Sequence, residues 1–289
     1  MIRSALLFGR VPHQRDDFDV EAEAAESTAI DAYQLDLDAL LNGATEQALS
    51  TLPDRPHRFL YRGWMLRLDE RETLQTELAE QGHRLVVTVE EYEAAHRLPA
   101  WYPHLTGYTA RSVWTEEPDV DELWSRKSEL GEGACLLKDH VKSAKELWAE
   151  ACFVPADCTR ERLGAMCERL LEARGDRFEG GFVLRRYLPF RGYGQTPSGP
   201  AFLEYRLFFA RHNLICAAPY FDFDVETPDF TQFERLARRI DSPFFAMDLA
   251  ELESGDFAVV ELNDGGVSML PASLDPRELF TGLRETKLL

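Results

Sequence analysis

Lysine is scarce in this sequence. Only five of its 32 basic side chains are lysine, and four of these (Lys127, Lys138, Lys142 and Lys145) fall in one short stretch. Against 51 acids they leave a net charge of −19. A field of that sign repels phosphate backbones, which excludes a general nucleic-acid binder without a local basic groove. No apolar run approaches the roughly 18–20 residues that span a bilayer. The apolar start around Ala5–Phe8 is too short for a signal-peptide core, and a cytoplasmic protein with no membrane partner is expected. The five cysteines are odd in number and form no C-x-x-C pair, so zinc and a disulfide framework are excluded in favour of reduced core thiols. No H-E-x-x-H, G-x-x-x-x-G-K-[ST], H-R-D or D-F-G occurs, and no G-x-G-x-x-G follows the first strand. These absences set aside the His-based metalloenzymes, P-loop proteins, ordinary protein kinases and standard dinucleotide folds. The K-x-D-G of nucleic-acid ligases is missing too, because Lys138 is followed by Asp139-His140.

What is present reads as two styles of fold. Residues 4–8, 33–37, 59–64 and 85–89 have strand character, with a helix over Asp69–Gln81 and an acidic helix over Asp16–Glu26 whose charge run reads as a solvated face. Alternating strands and helices predict an α/β unit with a mostly parallel sheet. Pro99–Trp114 reads as an irregular aromatic connection. A strand over Ala134–Lys138, a helix near Ala144–Cys152 and a helix over Thr159–Arg174 follow. From Phe182 onward strands come in pairs, at 182–187, 202–210, 214–220, 244–251 and 257–262, with Glu234–Ile240 as a helix between them. Arg211-His212-Asn213 and Glu253-Ser254-Gly255-Asp256 are hairpin signals, so this half is α+β with an antiparallel sheet. Gly192, Gly194 and Gly199 mark a Gly/Pro-rich loop that signals mobility and little else.

The sharpest constellation is the last hairpin. Glu261 and Asn263 share a strand face because residues two apart do. With Ser254-Gly255 as the two central turn residues, Asp248 stands opposite Glu261. Facing carboxylates repel, and a divalent cation between them reverses the sign. Asp, Glu and an Asn carbonyl are hard oxygen ligands suited to Mg²⁺, which keeps phosphate oxygens among its ligands. Two readings stand: a metal site, or a solvated carboxylate pair, with a one-residue register slip separating them.

A polyphosphate needs cations. Glu204 and Arg206 share one face of a strand, and an Arg there forks onto phosphate or onto a neighbouring acid. Lys138 ends an apolar strand, with Lys142 and Lys145 just beyond; the alternative for all three is a solvated helix face. Arg185 and Arg186 point to opposite faces, so one of them meets the interior side and needs a partner or a ligand.

Taken in order, a strand lysine, a hinge-like strand at 182–188, an arginine strand and then Asp…Glu-x-Asn across a hairpin resemble the ATP-grasp ligases. The chain is most similar to the clade named for two arginines and one lysine. The segments that carry the likeness are Tyr61-Arg62-Gly63-Trp64, Leu98-Pro99-Ala100-Trp101-Tyr102, Leu137-Lys138-Asp139-His140-Val141-Lys142, Leu184-Arg185-Arg186-Tyr187, Glu204-Tyr205-Arg206 and Val260-Glu261-Leu262-Asn263-Asp264-Gly265. It departs from the better-known ligases in two places. Arginines stand in the hinge strand where an acid is usual, and Asp139–Ser143 has no glycine where a Gly-rich phosphate loop is expected.

The resemblance implies an ATP-grasp fold, α/β plus α+β. A pre-domain over 1–115 would precede two ATP-enclosing lobes, over 116–185 and 186–289. It implies ATP and Mg²⁺ as cofactors. Asp248, Glu261 and Asn263 would hold the metal; Lys138, Lys142 and Arg185 the phosphates; Tyr187, Leu188 and Glu204 the rest of the nucleotide. Arg206, with Lys138, would stabilise the transferring phosphoryl group. Tyr61, Arg62 and Trp64 read either as part of an acceptor pocket or as a packed strand end. The implied reaction joins a small-molecule or peptide carboxylate to an amine through an acylphosphate. A nucleotide-sensing module without ligation and a phosphotransferase remain the alternatives.

Overall fold

The computed structural model describes residues 2–12, 14, 16–196, 199–221 and 224–289. Strand β1 (Arg3–Arg10) buries Ala5, Leu6, Leu7 and Phe8 in succession, the pattern of a strand covered on both faces. It is followed by α1 (Asp19–Ser27), β2 (Ala32–Asp36), α2 (Leu37–Leu41), α3 (Thr45–Ala48), β3 (His57–Gly63), α4 (Leu68–Glu80), β4 (Arg84–Leu85) and α5 (Val89–His96). The sheet order is β2-β1-β3-β4, all parallel, with Leu6 opposite Ala32 on one side and Leu60 on the other. Asp36 caps α2 by accepting from the Ala39 amide at 3.0 Å. The strand expected over 85–89 is corrected: pairing stops at Leu85 and α5 begins at Val89. A Thr88-x-x-Glu91 capping box starts that helix, with Glu91 accepting from the Thr88 amide at 2.8 Å.

The chain continues through α6 (Leu98–Trp101), β5 (Ser112–Trp114), α7 (Val120–Lys127), β6 (Cys135–Lys138), β7 (Phe153–Val154), α8 (Arg160–Arg174), β8 (Val183–Arg186), β9 (Gly192–Thr196) and β10 (Gly199–Phe202). Strands β5-β8-β6-β7 form an antiparallel sheet. Helix α8, capped by Thr159, lays Leu163, Met166, Cys167 and Leu170 against Leu137, Phe182 and Leu184. Three expectations change in this stretch. Pro99–Trp114 is not wholly irregular, since α6 and β5 lie within or across it. The segment 144–152 is a 3-10 turn followed by a π turn instead of one α-helix. In the Gly-rich segment β9 (Gly192–Thr196) and β10 (Gly199–Phe202) pair as an antiparallel ribbon.

Last come β11 (Glu204–Ala210), β12 (Asn213–Pro219), α9 (Glu234–Ala237), β13 (Phe244–Glu251), β14 (Phe257–Asp264) and α10 (Pro276–Glu285), in sheet order β12-β11-β13-β14. The β11–β12 connection is the expected hairpin. Its two loop residues, Arg211 and His212, hold φ of 48° and 66°, the left-handed pair that matches strand twist. All five cysteines are buried and unbridged, and burial pushes each thiol up.

The backbone gathers into two compact units. One comprises Met1–His96, Tyr205–Met247 and Leu262–Leu289; the other comprises Arg97–Glu204 and Asp248–Glu261. The first has its core on β1, β3 and the inner residues Phe208, Phe244, Leu279 and Phe280. The second has its core on β6, β8 and α8. Among the described residues no helix is long and apolar enough to cross a membrane.

Candidate functional site

In the second unit, β6 and β8 pair so that Lys138 faces Val183 and Leu136 faces Arg185. Directly paired residues share a face, and so do residues two apart, so Lys138 and Arg185 emerge on the same side of the sheet. Arg185 is the interior arginine of its pair and is 7% exposed. It donates to the Val260 carbonyl and, at 2.8 Å, to the Thr109 hydroxyl, with Trp101 5.6 Å beneath its guanidinium. Arg186, on the opposite face, packs where a side chain at Gly133 would otherwise stand.

Glu261 is the anion at the centre of this face. Its carboxylate lies 3.2 Å from the Lys142 ammonium and 3.8 Å from that of Lys138. Burial alone would raise its pKa, but Lys142, Lys138 and Lys145 together drive it well below the carboxylate range. The same burial pulls the Lys138 ammonium down to about 8 and Arg185 down to about 10, with Glu261 opposing both shifts. Lys138 also donates to the Val141 carbonyl at 2.8 Å. The structure therefore brings four of the expected residues together: Lys138, Lys142, Arg185 and Glu261. Tyr187 lies half-buried on the edges of Trp148 and Phe153, with ring centroids 6.4 and 5.3 Å away. Leu188 is half-buried just beyond it, and Glu204 is buried at the start of β11.

The hairpin register differs from the sequence expectation at its turn. Gly255 donates to the Leu252 carbonyl at 2.9 Å, and Leu252 donates to the Asp256 carbonyl at 2.7 Å. Gly255 holds a φ of 89°. This is a three-residue loop with a glycine bulge, not a two-residue turn on Ser254-Gly255. Leu252 pairs with Asp256, a one-residue slip at the turn relative to the register that set Asp248 opposite Glu261. Asp248 is 2% exposed, so the reading of a solvated carboxylate pair does not hold for it.

In the first unit, Arg206 on β11 is 6% exposed, donates to the Met269 carbonyl at 2.9 Å and lies 4.6 Å over the Tyr220 ring. Asn263, near the end of β14, is 3% exposed. The loop that follows is tied by Asp264, which accepts from the Gly266 amide at 2.8 Å, and by the Ser268 hydroxyl donating to the Asp264 carbonyl at 2.8 Å. Arg62 clamps the same loop. Fully buried, it donates to the carbonyls of Gly265 and Ser268 and forms a two-point ion pair with Glu21. The other Asp264 oxygen has no hydrogen-bond partner among the described residues, and burial pushes that carboxyl up to about 6 against Arg71 and Arg62.

Two readings of the sequence change here. Tyr61 and Arg62 are packed structure, with the Tyr61 hydroxyl donating to the Trp64 carbonyl at 2.9 Å; only Trp64, 42% exposed, presents a face to solvent. The acidic run on α1 is not simply a solvated face. Glu21 is buried on Arg62, and Asp19 pairs with Arg10. The Arg62 partner is not legible locally, because it lies 41 residues from Glu21.

The fold is that of the ATP-grasp proteins. The chain belongs to family 3 of the ATP-grasp domain clade named for two arginines and one lysine, whose family model matches residues 129–283, more than half of the sequence. A search of curated proteins finds no match. Among solved structures, an ATP-grasp RimK domain protein from Sphaerobacter thermophilus is 16% identical, with 98% of this chain and 96% of that one covered at a TM-score of 0.58. The ATP-grasp ligase PsnB, complexed with minimal precursor, Mg and ADP, is 15% identical over 98% of both chains at 0.55. The D-cycloserine synthetase DcsG is 12% identical over 99% of this chain and 100% of that one at 0.61.

Proposed function

We propose that the protein is an ATP- and Mg²⁺-dependent ligase that joins a carboxylate to an amine through an acylphosphate. The observation that carries this reading is the cluster of Lys138, Lys142 and Arg185 about the Glu261 carboxylate, inside a protein of net charge −19. Such a local cationic pocket suits an anionic nucleotide. The proposal retains the three spans 1–115, 116–185 and 186–289 as pre-domain and lobes.

Asp248, Glu261 and Asn263 would hold Mg²⁺. Among the described residues no group of three or more His, Cys, Asp or Glu gathers as a metal set. The proposed set instead supplies two carboxylates and one amide oxygen, and Glu261 is held ionised as a hard ligand must be. When bound, the metal neutralises phosphate charge. Lys138 and Lys142 would take phosphate oxygens in place of Glu261, and Arg185 would add a third cation. Tyr187, Leu188 and Glu204 would hold the remainder of the nucleotide. Arg206 would stabilise the γ-phosphoryl group as the substrate carboxylate oxygen attacks phosphorus and ADP leaves. The amine nitrogen then attacks the acyl carbon and inorganic phosphate departs.

PsnB has been crystallised with a precursor peptide, and DcsG is a synthetase of a small molecule, so both peptide and small-molecule substrates belong in the test. The experiment is ADP release with Mg²⁺·ATP against pools of amino acids and peptides. The expected outcome is Mg²⁺-dependent turnover that requires both a carboxylate and an amine and is abolished in Glu261→Gln with Asn263→Ala. ADP release with a hydroxyl acceptor and a stable phosphorylated product would identify a phosphotransferase instead. Nucleotide binding without turnover would identify a sensor.

A further inference from the structure

The segment after β6 contains no glycine, yet it carries Lys142 and starts from Lys138, the two lysines nearest Glu261. Its conformation is fixed by two side chains that are themselves fully buried, Asp139 and His140. One Asp139 oxygen accepts from the amides of Val141, at 2.6 Å, and Lys142, while the Asp139 amide donates to the Lys142 carbonyl at 2.9 Å. The other oxygen is held by Arg174, at the end of α8, at 2.9 Å. His140 locks the turn from the other side. Its amide donates to the Glu179 carbonyl at 3.1 Å, and its carbonyl accepts from the Leu98 amide at 2.8 Å. Arg97 lies 2.7 Å from Nδ1, and Nε2 sits 2.8 Å from the Thr115 carbonyl and 3.1 Å from the Gly181 amide, so both ring nitrogens are engaged. Gly180, at φ 69°, leaves the imidazole its seat, since a Cβ there would stand 2.2 Å from Nδ1.

We infer that Asp139 and His140 are positioning residues that keep this turn preformed, so that Lys138 and Lys142 meet a nucleotide's phosphates without any ordering of the loop. The inference rests on the nucleotide-binding reading above. A flexible loop loses roughly 1–2 kcal/mol of backbone entropy per residue when a ligand orders it. A turn braced at both of its buried side chains has already met that cost in folding. The device differs from a mobile glycine-rich lid: the rigidity comes from an Asx turn, an arginine brace and a buried imidazole.

The test uses the full chain and Mg²⁺ with AMPPNP as probe. Hydrogen exchange should show the Val141 and Lys142 amides protected before nucleotide is added, with less than a threefold change after. Asp139→Ala should lose at least tenfold of that protection and raise the calorimetric Kd at least tenfold. Asp139→Asn, whose amide oxygen still accepts from both backbone amides, should recover most of the affinity. Arg174→Met leaves the turn residues intact and removes the outer brace together with a bond to the Arg177 carbonyl; it should raise Kd three- to tenfold, and it serves if Asp139→Ala does not fold. Unprotected amides in the nucleotide-free protein, or protection gained only with nucleotide, overturn the inference. So does Asp139→Ala binding as tightly as wild type. No nucleotide binding by wild type overturns the reading of the site, while the exchange rates of the free protein still decide whether the turn is preformed.

Discussion

Two loops in this protein follow a strand and carry its candidate chemistry, and they solve the same problem differently. After Lys138 in the second unit, Asp139 caps the amide two residues on and is itself neutralised by Arg174. Near Asn263 in the first unit, Asp264 caps the amide of Gly266 in the same way, but among the described residues its second oxygen has no hydrogen-bond partner. The clamping arginine there, Arg62, grips the loop's carbonyls and directs its charge to Glu21. The Asx turn is thus a shared local device. What differs is where the balancing charge sits, and that difference sets what each aspartate contributes to stability.

The largest break in the comparison should come from Arg62→Met. It removes the carbonyl clamp and leaves Glu21 buried without its partner, a change that costs about 3–5 kcal/mol. Urea denaturation measures it. Next, the two aspartates should respond with opposite signs. Asp139→Asn weakens a charged bond to a partly exposed arginine and should cost about 1–3 kcal/mol. Asp264→Asn keeps the capping oxygen and removes an anion that burial disfavours, so at pH 7.5 it should be neutral or stabilising by about 1–2 kcal/mol. Equal destabilisation of both variants would dissolve the distinction.

Glu21 sharpens the comparison through pH. Burial raises its pKa despite Arg62. A raised folded-state pKa means that the group's stabilising contribution is complete below its unfolded value. That contribution is lost as pH rises through the folded value. Wild type should therefore show a stability decline with rising pH above about 4.5 that Glu21→Gln lacks, read from melting temperatures across pH 4–8. The smallest effect belongs to Trp64→Ala, whose exposed ring should change stability by less than about 0.5 kcal/mol. A larger loss would place Trp64 with the clamp.

These contrasts also show what was legible in the residues. The parallel sheet follows from apolar strands such as Ala5–Phe8, and the β11–β12 hairpin from its turn. Lys138 and Glu261 stand out because a lysine ending an apolar strand and a Glu-x-Asn strand are local patterns. Helix α10 had its signal in Asp275-Pro276, a cap followed by proline at the first turn, as α5 had in Thr88-x-x-Glu91. The hairpin register was not legible, because Glu253-Ser254-Gly255-Asp256 suits both a two-residue turn and the bulged loop that forms. Nor were the braces on the two loops. Arg174 to Asp139 spans 35 residues and Arg62 to Ser268 spans 206. Pairings at that range depend on packing that no local pattern encodes.

The central claim is that the cations about Glu261 form a Mg²⁺-dependent nucleotide site. Thermal unfolding with ATP, with and without Mg²⁺, in wild type and Glu261→Gln, tests it most directly. A ligand at 100 times its Kd stabilises by about 2.7 kcal/mol, several degrees in melting temperature for a chain of this size. The account predicts that shift with Mg²⁺·ATP in wild type, little with ATP alone, and its loss in Glu261→Gln. An unchanged melting temperature for wild type at saturating Mg²⁺·ATP would contradict it.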